Sequence, residues 1–229
     1  MQKYAIVVAG GIGKRMEASV PKQFLEINGY PILYYSIKKF YDYDNDIKIV
    51  VVMNQNYIQF WKECILKYKI SIPHLVVAGG EERFYSVQNA LKILEGDGIV
   101  GIHDAVRPFV KLETIQRCFE TAKNKGNAIP VIKLTDSIRQ FTHFGSESVS
   151  RKNFRIVQTP QCFKLRLLKK AYQQNFRDYF TDDASVLEAF GESIHMVEGN
   201  IENIKITTPF DYQIAPVILK NDDQLNTIN

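Results

Sequence analysis

Residues 4–9 (YAIVVA) form an apolar, β-prone run with no polar break, the pattern of a strand buried on both faces of a parallel sheet. Similar runs recur at 47–53, interrupted only by Lys48, and at 74–78, 99–102 and 128–132. Between them the period changes to that of a helix. Residues 31–41 place Leu33, Ile37 and Phe40 on one face, with Pro31 in the first turn; 58–68 carry Trp61, Ile65 and Leu66; 83–94 carry Val87, Ala90, Leu91 and Leu94; and 112–124 are also helical. Strands alternating with helices predict an α/β fold, a doubly wound, mostly parallel sheet. Further along, 165–174 and 182–189 read as helices and 194–197 and 204–206 as closing strands. Thr208, Pro209 and Asp211 supply the N-cap, first-turn proline and acid that open a last helix. Residues 220–229 are polar and are expected to fray.

One stretch breaks the alternation. Residues 133–157 are mostly polar and charged, with short β-like pieces at 137–141 and 154–157 around a loop at 143–148. Such a stretch buries little apolar surface by itself, so it is expected to be a protruding β-arm on a single domain spanning 1–229. An arm of this kind needs a partner surface.

Composition narrows the class. At 229 residues, 45% of them hydrophobic, the chain is long enough to bury a core without disulfides or metal. The net charge of +4 is too mild for a nucleic-acid binder but suits a basic site for anionic substrates. Cys64, Cys118 and Cys162 are odd in number and form no C-x-x-C pair, so they read as buried thiols in a reducing compartment. Met1 leads straight into the first strand, and no stretch reaches eighteen apolar residues; a soluble, cytoplasmic protein without membrane contact is expected.

The chemistry gathers at strand ends, where ligands sit in open α/β sheets. After the first strand comes a loop with Gly10, Gly11 and Gly13, the cations Lys14, Arg15 and Lys22, and Pro21. Glycines let backbone N–H groups approach an anion, and the cations add positive charge beside it, so phosphate is the expected guest. The loop fits neither better-known phosphate motif. A dinucleotide fingerprint needs glycine where Met16 stands, and a Walker A loop fails at Val8 and Arg15. The third strand ends in Gly79-Gly80-Glu81-Glu82-Arg83, leading to Ser86; this is either a backbone and hydroxyl contact for a base or a plain turn capped by acids. The fourth ends in His103-Asp104-Ala105-Val106-Arg107, where Asp104 either meets Mg²⁺ on a triphosphate or pairs with Arg107 in a turn. Thr181-Asp182-Asp183-Ala184-Ser185 is a helix start that either holds a phosphate or polyol with outward hydroxyls and N–H groups or is an ordinary N-cap. Lys205 lies inside an apolar run, where an ammonium needs an anion beside it. His74, His103, His143 and His195 lack ligand spacing, His103 reads as structural, and no serine sits in a nucleophile elbow.

VVAGGIGKRM, PKQF, AGGEERFYSV, HDAVRPF, RIVQTPQCF, TDDAS and EGNIENIKITTP occur in an order and spacing that resemble the 2-C-methyl-D-erythritol 4-phosphate cytidylyltransferases of the non-mevalonate isoprenoid pathway, over residues 6–218. The resemblance implies a Rossmann-like nucleotidyltransferase that uses CTP and Mg²⁺ and transfers a cytidylyl group to a phosphorylated alditol. It also implies that Arg15 and Lys22 stabilise the transition state with Lys205 beside them. Ala9, Gly10, Gly11, Gly13, Gly80, Glu81, Ser86, Asp104, Ala105 and Arg107 match the nucleotide and Mg²⁺ surroundings. Ser137, Arg151, Thr159 and Thr181 match positions that hold or frame the alditol phosphate, the first two on an arm that in the family reaches into a neighbouring subunit's site, which implies a homodimer. The chain departs from the family where proline often precedes Ala9, where aspartate often stands at Glu81 and where threonine often stands at Ser137; each change keeps size or hydrogen-bonding capacity. Two rivals share much of this pattern, a ribitol 5-phosphate cytidylyltransferase and a nucleotide-binding module without turnover. A nicotinamide oxidoreductase falls with Met16.

Overall fold

A computed structural model describes residues 1–11 and 20–226, with the side chains of the last helix described up to Asn221. Strand β1 (Gln2–Ala9) is followed by a 3-10 turn at Lys22–Phe24, a small ribbon of β2 (Glu26–Ile27) and β3 (Tyr30–Pro31), and helix α1 (Ile32–Tyr43). Then come β4 (Lys48–Met53), α2 (Ile58–Lys67), β5 (Leu75–Ala78), α3 (Arg83–Ile93), β6 (Gly98–Asp104), α4 (Leu112–Lys125) and β7 (Asn127–Lys133). The hairpin β8 (Ile138–Thr142) and β9 (Gly145–Val149) precedes β10 (Arg155–Val157), β11 (Gln161–Lys164), α5 (Leu165–Ala171), α6 (Asp183–Ala189), β12 (Met196–Glu198) and α7 (Pro209–Asn226).

The main sheet runs β10-β7-β11-β6-β1-β4-β5, with β12 also on β7. β1 lies between β4 and β6 and is parallel to both, so Ala9 sits beside Met53 and Val8 beside Asp104. Alternate residues feed opposite cores: Ala5 and Val7 join Leu33, Ile37, Trp61 and Ile115 on one face, while Tyr4 and Ile6 join Phe84, Val87, Leu91 and Leu168 on the other. Each such fully buried side chain is worth about 2 kcal/mol, which is what fixes the register.

The later strands depart from the sequence reading. β11 returns antiparallel to both β6 and β7, an element the pattern does not predict. β10 and β11 follow the same edge of β7, but Val157 faces Val131 while Cys162 faces Ala128, so five steps on one side match three on the other. The surplus is a bulge at Gln158, Thr159 and Pro160, which turns Thr159 toward the tip of β6. The loop expected at 143–148 is largely β9, paired with β8 in an exposed two-stranded ribbon. No strand forms at 204–206; that segment is irregular and tied to the core by Ile206 N–H donating to the Val106 carbonyl. The closing strand near 194–197 is β12, two residues later. Leu66, read as part of the apolar face of α2, is exposed. The polar tail expected to fray is helical as far as Asn226. At the start of α7, Thr208 and Asp211 cap each other, with Thr208 N–H donating to Asp211 Oδ2 at 2.8 Å and Asp211 N–H to Thr208 Oγ1 at 3.2 Å.

Candidate active site

The carboxyl ends of β1, β5 and β6 enclose a cavity of about 410 Å³, lined by Ala9, Gly10, Gly11, Lys22, Gly80, Glu81, Arg83, Ser86, Asp104, Ala105 and Lys205, among others. Backbone bonds bring these ends level, with Ala105 N–H donating to the Val8 carbonyl at 3.0 Å and Gly79 N–H to the Met53 carbonyl at 2.7 Å. Gln23, almost fully buried, donates from Nε2 to the Ala9 carbonyl at 2.8 Å, which ties the far end of the glycine loop to the strand it left. That bond sets Lys22 at the cavity wall.

On the opposite wall the turn after β5 requires glycine. A Cβ on Gly79 would lie 2.8 Å from Ser86 Oγ, and one on Gly80 would lie 2.4 Å from Tyr85 Cβ. Ser86 Oγ accepts from Gly80 N–H at 3.1 Å, so backbone and hydroxyl form one fixed edge. At Gly11 a Cβ would meet no atom of the described residues within 4 Å.

Asp104 is the electrostatic centre. Lys205 Nζ is 3.0 Å from its Oδ2, Arg107 Nε is 3.4 Å from the same oxygen, and Arg83 Nε is 3.9 Å from Oδ1. Burial alone would push this carboxyl up, but the charges of Lys205, Arg83 and Arg107 outweigh it and hold Asp104 well below the usual carboxylate range. The Arg107 turn pair weighed from sequence is therefore present. Lys205 is not enclosed in a strand as its apolar neighbours suggested; its side chain is 43% exposed and reaches its anion across the cavity mouth.

The tip of β6 is held from behind. Thr159 Oγ1 accepts from Asp104 N–H at 3.1 Å and contacts His103 Nδ1 at 2.9 Å, while His103 Nε2 lies 3.0 Å from the Arg107 carbonyl. The partners assign the tautomer: Nε2 donates to the carbonyl and Nδ1 accepts from the threonine hydroxyl, so the ring is neutral. Burial pushes His103 down to about 4, which agrees. Asn203 completes the clamp, with Nδ2 donating to the Thr159 carbonyl at 2.9 Å and its own carbonyl accepting from Arg107 Nη1 at 2.8 Å.

A sequence model of the 2-C-methyl-D-erythritol 4-phosphate cytidylyltransferase family matches residues 4–221. The chain belongs to that family. A relative of that name from Bacteroides thetaiotaomicron is 48% identical over 219 residues, covering 96% of this chain and 100% of the relative. Another, from Geobacillus kaustophilus, is 36% identical over 222 residues, covering 96% and 97%. Among solved structures, 4-diphosphocytidyl-2C-methyl-D-erythritol synthase from Anaerococcus prevotii superposes with a TM-score of 0.81 at 26% identity, covering 96% of each chain. The 2-C-methyl-D-erythritol 4-phosphate cytidylyltransferase of Francisella tularensis gives 0.77 at 33% identity, covering 95% of this chain and 100% of the other. The fold is thus that of the family, a mostly parallel α/β nucleotidyltransferase sheet.

Of the residues singled out from sequence, Ala9, Gly10, Gly11, Lys22, Gly80, Glu81, Ser86, Asp104, Ala105 and Lys205 line one cavity, and Arg107 touches it through Asp104. Gly13 and Arg15 lie outside the described residues. Thr159 is buried behind Asp104, with its hydroxyl already engaged. Thr181 lines a second cavity of about 540 Å³ beside Lys152 and Arg155. Ser137 is exposed before β8, and Arg151 donates to the Thr135 carbonyl within its own arm. At the 181–185 segment the ordinary cap is what forms: Asp182 Oδ1 accepts from Ser185 N–H at 2.8 Å, Ser185 Oγ donates to the Asp182 carbonyl, and Ala184 N–H donates to Gln161 Oε1. Those groups point into the cap, not outward. Gln23, Arg83 and Asn203 were not singled out, although each stands inside a quoted motif; the cation directly after the acidic turn was the readable signal for Arg83.

Proposed function

We propose that the cavity at the ends of β1, β5 and β6 is where the chain transfers a cytidylyl group from CTP to 2-C-methyl-D-erythritol 4-phosphate. An oxygen of the acceptor phosphate attacks the α-phosphorus of CTP, the bond to the β-phosphate breaks, and pyrophosphate leaves with the bonding pair. The observation that carries this reading is the convergence of Lys22, Arg83 and Lys205 on one glycine-walled cavity whose lining hydroxyl, Ser86, is committed to Gly80 N–H. Such a site has charge to stabilise and orient phosphates but no activated nucleophile among its described lining residues, as direct transfer requires. The Gly80–Ser86 edge and the glycine backbone at Gly10 and Gly11 are suited to the base and ribose. Lys22 and Lys205 face the phosphates, and Arg15 joins them on the strength of the family resemblance.

A divalent cation, Mg²⁺ by the same resemblance, fits the donor set. Asp104 is ionised, and Arg83 Nε stands 3.9 Å from its Oδ1. Among the described residues no group of three His, Cys, Asp or Glu side chains gathers, which suits an ion shared between one carboxylate and the substrate phosphates. Bound there, it supplies neutralisation of the triphosphate. The segment 133–157 is assigned to a homodimer contact: Phe141 and Phe144 are 90% and 101% exposed, and neither Ser137 nor Arg151 is among the residues that line their own chain's cavity. With three buried free cysteines, a reducing cytoplasm is the fitting compartment.

The test is Lys205→Met. A cation aimed at developing phosphoryl charge acts mainly in the transition state, so kcat should fall by about 10²–10³ while the KM for CTP changes little. A folded variant that loses less than about tenfold in kcat would remove Lys205 from this role.

A further inference from the structure

Arg83, a cation of the cavity wall, is held from the rear by a fully buried carboxylate. Its Nη2 donates to Asp183 Oδ2 at 2.6 Å, and the other oxygen, Oδ1, accepts from the Tyr172 hydroxyl at 2.6 Å. Asp183 is 0% exposed. Burying a carboxylate costs several kcal/mol of hydration, and an apolar residue would serve packing as well or better. Folding alone therefore does not account for it. The other edge of Arg83 faces the cavity, with Nε 3.9 Å from Asp104 Oδ1.

Resting on the cytidylyl-transfer reading, we propose that Asp183 is a positioning residue. It pulls Arg83 back from Asp104, so that the guanidinium stays on the cavity wall and Asp104 Oδ1 stays available. Arg83 opens α3 in the turn that contacts the nucleotide, and Asp183 opens α6 next to Thr181, so the ion pair also braces the nucleotide wall against the 181–185 segment. Gln161 fixes the far side of the brace, with Nε2 donating to Asp182 Oδ2 at 2.8 Å. Without the Asp183 charge, Arg83 closes on Asp104 and forms the pair that the present geometry keeps open.

A double-mutant cycle separates this from a structural role. Asp183→Asn keeps the shape and loses the charge, its amide oxygen accepting from Arg83 and its amide N–H turned to donate to the Tyr172 hydroxyl; it should lower kcat/KM for CTP about tenfold, within the range found for groups in contact. In an Arg83→Gln background the same change should have no further effect, because its target is gone. Independent, multiplying losses overturn the proposal. If Asp183→Asn does not fold, Tyr172→Phe removes one hydrogen bond from the carboxylate and should give a smaller loss that again vanishes with Arg83→Gln; a loss that persists overturns it. The cycle is repeated with the Kd for CTP, measured by calorimetry, in place of kcat/KM. Wild-type protein that binds CTP without turnover overturns the transfer reading while the Kd cycle still decides the role of Asp183, and failure to bind CTP overturns both.

Discussion

Asp104 shows how a single residue is placed by chemistry on three sides. Thr159 holds its backbone, Lys205, Arg107 and Arg83 surround its carboxylate, and neutral His103 locks the threonine. The lock has a pH dependence with a definite sign. His103 titrates near 4 in the folded protein, against the ordinary 6.5, because burial disfavours its charged form. Between those values the unfolded chain binds the extra proton, so this residue's contribution is complete above about pH 6.5 and lost as pH falls toward 4, by about 3 kcal/mol in all. Urea unfolding across that window should show the decline, and His103→Gln should flatten it; an equally steep decline in the variant would contradict the assignment. Asp104 and the glycines were legible because a charge or a double glycine at a strand end has few structural uses, and Lys205 because a cation inside an apolar run needs an anion beside it. The sequence named Thr159 only through the family resemblance and did not point to Asn203, because their hold on the β6 tip depends on a two-residue bulge and on backbone carbonyls that no side-chain pattern records.

At the level of elements, the parallel strands and their helices were readable because each carries a period that only one geometry satisfies: β1 and β4 are apolar throughout, and α1 repeats Leu33, Ile37 and Phe40. β11 was not, since Gln161, Cys162, Phe163 and Lys164 make a four-residue strand too short to show a period. β9 was missed for the opposite reason. Both of its faces are exposed, so burial leaves no alternation in its sequence. The ribbon it forms with β8 leaves Phe141 and Phe144 uncovered, which is the ground for the proposal that a second copy of the chain covers it. Mixing inactive Arg15→Met subunits with inactive Arg151→Ala subunits should then restore part of the activity, because a heterodimer contains one site with both residues intact. No recovery after demonstrated subunit exchange would mean that each site is built from one chain.

For the whole molecule, the sheet places a glycine wall, several cations and the ionised Asp104 around one cavity at the carboxyl ends of parallel strands, where such folds bind ligands. No helix among the described residues is long and apolar enough to cross a membrane. Family membership sets aside the ribitol 5-phosphate enzyme and the non-catalytic module that the motifs alone left open. Because both alditols present a phosphate, selection between them rests on the branched methyl and hydroxyl pattern, and a methyl-sized difference is worth about 10–200-fold. The most direct measurement is pyrophosphate release by the purified protein with CTP and Mg²⁺, comparing 2-C-methyl-D-erythritol 4-phosphate, ribitol 5-phosphate and no acceptor. Release should require an acceptor, and kcat/KM should favour 2-C-methyl-D-erythritol 4-phosphate by at least about tenfold. Equal release without acceptor, or an equal or reversed preference between the two alditols, would contradict it.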